Sequence, residues 1–129
     1  MPIRVVQLGT TRAPDEVLRL GTVRRVPRGV KKTEWAAMNY FDLWLPELAP
    51  SEELRKWALS EAMTETRWNT YRRSYLAQMK RPQARRLIAL LAALSHQTNL
   101  SVGCYCADES HCHRSLLRTL LIERGAVMI

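Results

Sequence analysis

Residues 104–117 read CYCADESHCHRSLL and hold all three cysteines and two of the three histidines of the chain. Such a concentration suits a metal centre, a thiol catalyst, an anion-binding helix start, or small residues filling a core. For zinc, Cys104, Cys106, His111, Cys112 and His113 supply enough ligands for a tetrahedral site. The segment lacks a Cys-x-x-Cys pair, however. Successive residues on a helix also diverge by about 100°, so His111, Cys112 and His113 cannot all converge on one ion. The pattern therefore predicts no bound metal and no cofactor.

Thiol chemistry is a sharper reading. Cys112 in the first turn of a helix, beside His113 and Arg114, would feel a positive helix end and cationic neighbours, both of which favour the thiolate. Cys112 is then the candidate nucleophile and His113 its partner. Cys112 and Arg118 also match the bare Cys, five residues, Arg spacing of phosphatase loops. Those loops need a glycine-rich cradle, whereas HRSLL continues as helix.

The same helix start offers free N–H groups to a phosphate or carboxylate. His111, Arg114 and Ser115 add donors, and Tyr105, Arg24 and Arg28 are expected to line the pocket. The plain alternative is that Ser110 caps the helix, His and Arg face solvent, and Cys104 is a small core residue.

The elements that must position these residues follow from the rest of the chain. Its 129 residues are 47% hydrophobic and 25% charged, which fits one α/β domain over residues 1–129 with a real core. IRVVQL (Ile3 to Leu8) reads as a first strand, and APDEVLRLG as a short helix closed by Gly21. TVRRV reads as a second strand, and Phe41 to Leu45 as an extended stretch closed by Pro46. Ser51 is an N-cap ahead of Glu52 and Glu53. EAMTETRWNTYRRSYLAQMKR is a long helix that Pro82 breaks. QARRLIALLAALSHQ follows, apolar nearly all round from Leu87 to Leu94 and so expected to be deeply buried. LSVGCYC alternates as a strand with Leu100, Val102, Cys104 and Cys106 on one side. ADES turns into the helix HCHRSLLRTLLIERG, ended by Gly125, and AVMI closes as a short strand. Strand, loop, helix and strand predict a small, mainly parallel sheet flanked by helices.

Twenty Lys and Arg against twelve Asp and Glu give a net charge of +8, most of it from arginine, so the expected partner is acidic. A phosphate-bearing small molecule or nucleic acid fits. Nucleic acid is the competing reading: Arg72, Arg73, Arg85 and Arg86 would meet phosphates while Trp68, Tyr71 and Tyr75 stack on bases. The opposing view makes that aromatic stripe core and its charges a solvated face. No stretch is long and apolar enough for a membrane span, and the start lacks the apolar run of a secretory signal. A cytoplasmic protein with free cysteines is expected.

FDLWLPELAPSEELRKW (Phe41 to Trp57), RRVPRG (Arg24 to Gly29) and YRRSYL (Tyr71 to Leu76) resemble the domain-of-unknown-function 488 family, most closely its YeaO-like branch. The closing CYCADESHCHRSLL resembles the strand-loop-helix signature of other branches. Arg24, Pro27, Arg28 and Gly29 match the family's basic stretch, with Val23 and Val26 where an acid and a Trp commonly stand. His111 to Ser115 match the closing motif, although YeaO-like members often carry Asn at the position of Cys112. The resemblance implies a small α/β protein and assigns no activity.

Overall fold

A computed structural model describes residues 2–129. β1 (Ile3–Gln7), β2 (Leu18–Gly21), β3 (Leu43–Trp44) and β4 (Leu100–Cys104) form one sheet in the order β1-β4-β2-β3. Every pair is parallel, with Val102 of β4 opposite Val5 on one side and Leu20 on the other. An all-parallel sheet needs cover on both faces. β4 lies inside it, so all five of its residues are buried. The in-out alternation expected from Leu100 to Cys106 therefore gives way to a strand buried on both faces. It ends at Cys104, and Cys106 is exposed beyond it.

The first crossover differs from its local propensities. The helix expected from Pro14 to Gly21 is absent, and Leu18–Gly21 is instead a strand with partners on both edges. Sheet pairing on two sides outweighs a weak local helix preference. The strand expected at TVRRV is loop. Thr22 turns both its N–H and its hydroxyl to the Gly103 carbonyl, which ends the β2 ladder there.

Three helices carry the chain from β3 back to β4. α1 (Glu52–Leu59) starts at Ser51, whose hydroxyl accepts from the Leu54 N–H at 3.2 Å. α2 (Glu65–Gln78) is capped by Thr64 and begins four residues inside the stretch expected to be helical. α3 (Pro82–Leu94) has Pro82 where no intrahelical N–H is needed. It is one-sided rather than buried all round: Ile88, Leu91 and Ala92 are buried while Leu90 is 53% exposed. Leu20, Leu100 and Val102 from the sheet meet Tyr75, Ile88, Leu91, Leu117 and Leu121 in the main core.

After β4, α4 (His113–Glu123) runs to Gly125, whose φ of +84° is the left-handed stop expected of a helix-ending glycine. AVMI contributes one parallel bridge, Met128 to Ile3, rather than a strand. The chain thus leaves β2 toward β3 and leaves β4 toward the outer edge of β1. Their exits part, which opens a crevice at the carboxyl ends of two neighbouring strands. Among the described residues no helix is long and apolar enough to cross a membrane.

Candidate active site

The crevice is a cavity of about 630 Å³. Its floor comes from Cys104 at the end of β4 and from Cys106, Cys112 and His113 beyond it. Val23, Arg24 and Arg25 enter from the end of β2, Arg55 from α1 and Tyr71 from α2. Sequence distance hid this grouping. β4 and β2 share an edge, so residues some eighty positions apart meet.

The helix starts two residues later than expected, so Cys112 stands before its first turn rather than within it. It is the N-cap of α4 with extended backbone, and His113 is the first helical residue. Ser110 does not cap the helix; it turns to Asp108 instead. The Cys112 side chain makes no cap bond. Its sulfur lies 3.7 Å from His113 Nδ1, and His113 Nε2 lies 2.6 Å from the Thr22 carbonyl. A carbonyl can only accept, so Nε2 carries a proton. In the neutral ring Nδ1 is then the lone-pair nitrogen, and it faces the thiol. This places a thiol beside an imidazole that a third group orients.

The other two thiols complete the floor. Cys104 Sγ donates to Cys106 Sγ at 3.8 Å, and the sulfurs of Cys104, Cys106 and Cys112 all lie within 4.8 Å of one another. Bonds from the Cys104 and Cys106 thiols, followed by His113, draw Cys112 well below the ordinary thiol range despite its burial. Its bonds to Cys106 and Cys112, with burial added, push Cys104 up. Cys106 gains from the Cys104 donor but loses more to Cys112 and to burial, so it also rises. Of the three neighbouring sulfurs, Cys112 is the one whose ionised form the cluster favours. Burial, reinforced by the neighbouring sulfurs, holds Tyr71 firmly as a phenol.

The residues expected to bind an anion divide. His111 lines the cavity with its ring edge on Trp68, centroids 5.3 Å apart. Tyr105 lines it too, and its hydroxyl donates to the Arg25 carbonyl at 2.9 Å. Arg24 borders it but is committed to the carbonyls of Pro46, Ala49 and Pro50. Arg28 lies outside it, in an adjoining groove of about 710 Å³ with Arg25, Arg55, Tyr40, Trp44 and Tyr105. Arg114 is buried behind the floor, where it donates to the Cys106 carbonyl and fixes the loop. Ser115 returns its hydroxyl to the Cys112 carbonyl. Arg118 clasps Glu109 and does not complete a phosphatase loop with Cys112.

Thr22, Arg25, Arg55 and Tyr71 belong to this site and were not singled out for it from sequence. Thr22 acts through a backbone carbonyl, which no side-chain pattern reports. Tyr71 was legible only as part of an aromatic stripe. On α2 that stripe is core: Tyr71 and Tyr75 are buried, and Trp68 stacks on Tyr71. Arg72, Arg73, Arg85 and Arg86 are exposed and share no lining residue with the thiol cavity.

A parallel α/β sheet with a thiol-floored crevice at its strand ends defines the class of the protein. Over residues 3–125 the chain matches the family model described as the active DUF488-N3 subclade. The chain belongs to the domain-of-unknown-function 488 family. No curated protein and no solved structure matches it.

Proposed function

We propose that the protein is a thiol-dependent enzyme acting on a small phosphate-bearing substrate, with Cys112 as nucleophile. The observation that carries this reading is the chain Cys112 Sγ, His113 Nδ1, His113 Nε2, Thr22 carbonyl, at 3.7 and 2.6 Å on the floor of the cavity. His113 takes the thiol proton and stays oriented by Thr22. Arg25 and Arg55, both paired with Glu52, line the thiol cavity and the groove beside it, so they are the cations an anion entering from the Arg28 side would meet.

Iodoacetate, an anionic alkylating agent, tests this directly. It should modify Cys112 faster than neutral iodoacetamide does, relative to the same ratio for glutathione. His113→Asn should slow that modification by about 100-fold, the lower end of what general bases supply. Inorganic phosphate should protect Cys112. Preferential labelling of Cys106 with no phosphate protection would sink the proposal.

A further inference from the structure

We infer that Cys104, Cys106 and Cys112 form a binding site for one thiophilic d10 cation, zinc or its softer analogue cadmium, with a fourth position open to the cavity. The inference goes beyond the nucleophile reading, and the two share one atom, Cys112 Sγ.

Sequence spacing argued against a metal because no Cys-x-x-Cys pair exists and the His111 to His113 side chains diverge. The fold removes both objections. Cys104 ends a strand, Cys106 stands two residues past it, and Cys112 precedes a helix. These three backbones bring their sulfurs within 4.8 Å of one another with no histidine in the set. A zinc–sulfur bond of about 2.3 Å in tetrahedral geometry separates neighbouring sulfurs by about 3.8 Å. Cys104 and Cys106 already stand 3.8 Å apart. Contraction of the wider edges by less than about 1 Å completes the face of a tetrahedron.

The ligand set selects the ion. Three sulfurs without a carboxylate discriminate against magnesium, calcium and manganese in favour of soft, closed-shell cations. The thiols line the cavity, so the ion has an entry path and its fourth position faces the space available to solvent or substrate. Three protein ligands with one open position is the pattern of exchangeable rather than closed structural sites. Arg114 serves as the outer support, since its bond to the Cys106 carbonyl fixes the loop that delivers the second ligand. Occupancy removes Cys112 as a nucleophile, so metal and alkylating agent compete.

Titration of the reduced, metal-free protein with cadmium tests the site through the ultraviolet sulfur-to-cadmium charge-transfer band. One equivalent per chain should saturate the band, and prior loading with zinc should delay its appearance. Cys106→Ser is the decisive variant because Cys106 is exposed and its replacement leaves the core untouched. Circular dichroism checks that it is folded. It should weaken cadmium binding at least tenfold, as should Cys112→Ser, while His111→Ala changes it by less than twofold. Absence of the band, or a band of undiminished affinity in folded Cys106→Ser, overturns the inference. Alkylation of the metal-free protein separates the two readings. A reactive Cys112 with no cadmium band sinks the metal site alone; a saturable band over an unreactive Cys112 sinks the nucleophile alone.

Discussion

At the scale of single residues, the most fully buried charge is Arg19, only 1% exposed and paired at 3.0 Å with the equally covered side chain of Glu16. Arg19 spends its remaining donors on the carbonyls of Thr10 and Asn39, and Glu16 also accepts from the Ala13 N–H. The pair thereby pins the loop before β2 to the one before β3. Burial alone would raise the Glu16 carboxyl, but the bonds from Arg19 and the Ala13 N–H outweigh it and the net shift is downward from 4.5. A carboxyl lowered on folding contributes stability that is present above about pH 4.5 and is lost as pH falls through its folded value. Glu16→Gln leaves a buried guanidinium without its counter-ion and should cost about 3–5 kcal/mol at pH 7. The gap to the wild type should narrow as pH drops below about 4.5, where the wild-type carboxyl takes up its own proton. Urea unfolding of both proteins at pH 7 and pH 3 checks this, and a gap independent of pH would refute it. The same scale shows what a sequence can and cannot tell. Cys112 and His113 were legible because their chemistry is in their side chains. The Thr22 carbonyl was not, because any residue there would present the same atom.

Elements are legible where their ends are signalled locally. Ser51 followed by two glutamates marked α1, Pro82 marked the break before α3, and Gly125 marked the end of α4. β2 was misread because APDEVLRLG carries the acids and apolar spacing of a helix, while its strand partners lie elsewhere in the chain. Its C-terminal residue shows how tightly the element is held from outside. A side chain on Gly21 would strike the ring of Phe41, itself fully buried. Gly21→Ala should therefore destabilise by about 1–3 kcal/mol through overpacking. Thr22 and its carbonyl would shift with it, so His113 should lose part of its orientation. Thermal unfolding with iodoacetate kinetics at Cys112 measures both effects. Unchanged stability would mean that Phe41 yields freely. The α1 cap extends the point to two elements at once. Ser51 accepts from Leu54 and from Gln78 Nε2 while its own N–H goes to Gln78 Oε1, so one serine joins the start of α1 to the end of α2. A capping serine was readable from sequence, but its second partner 27 residues away was not.

For the whole molecule, the net charge of +8 is distributed in a way the composition could not reveal. Arg4, Arg12, Arg19, Arg25, Arg55, Arg67 and Arg118 each stand in an ion pair. None of the ion pairs among the described residues involves Arg72, Arg73, Lys80, Arg81, Arg85 or Arg86, which are exposed on α2, α3 and the turn between them. Arg72, Lys80, Arg85 and Arg124 also line a groove of about 540 Å³ with Glu123 as its one acid. Unpaired cations of this density attract a polyanion by counterion release, an affinity that needs no shaped pocket. The buried tyrosines of α2 withdraw the stacking that would make such binding tight. A short single-stranded oligonucleotide should therefore bind weakly, with an affinity that falls steeply with salt. Arg72→Ala combined with Arg73→Ala should lower the slope of log K against log salt by about 1.4, two phosphate contacts at about 0.7 each. The same pair should leave phosphate protection of Cys112 intact. Arg55→Ala should do the reverse, weakening protection while sparing the slope. Oligonucleotide binding at two salt concentrations, run beside alkylation kinetics on the same preparations, separates the faces. Tight, salt-tolerant strand binding that collapses with Arg72 and Arg73 but survives Arg55→Ala would make the basic face the functional one and reduce the thiol crevice to a subsidiary role.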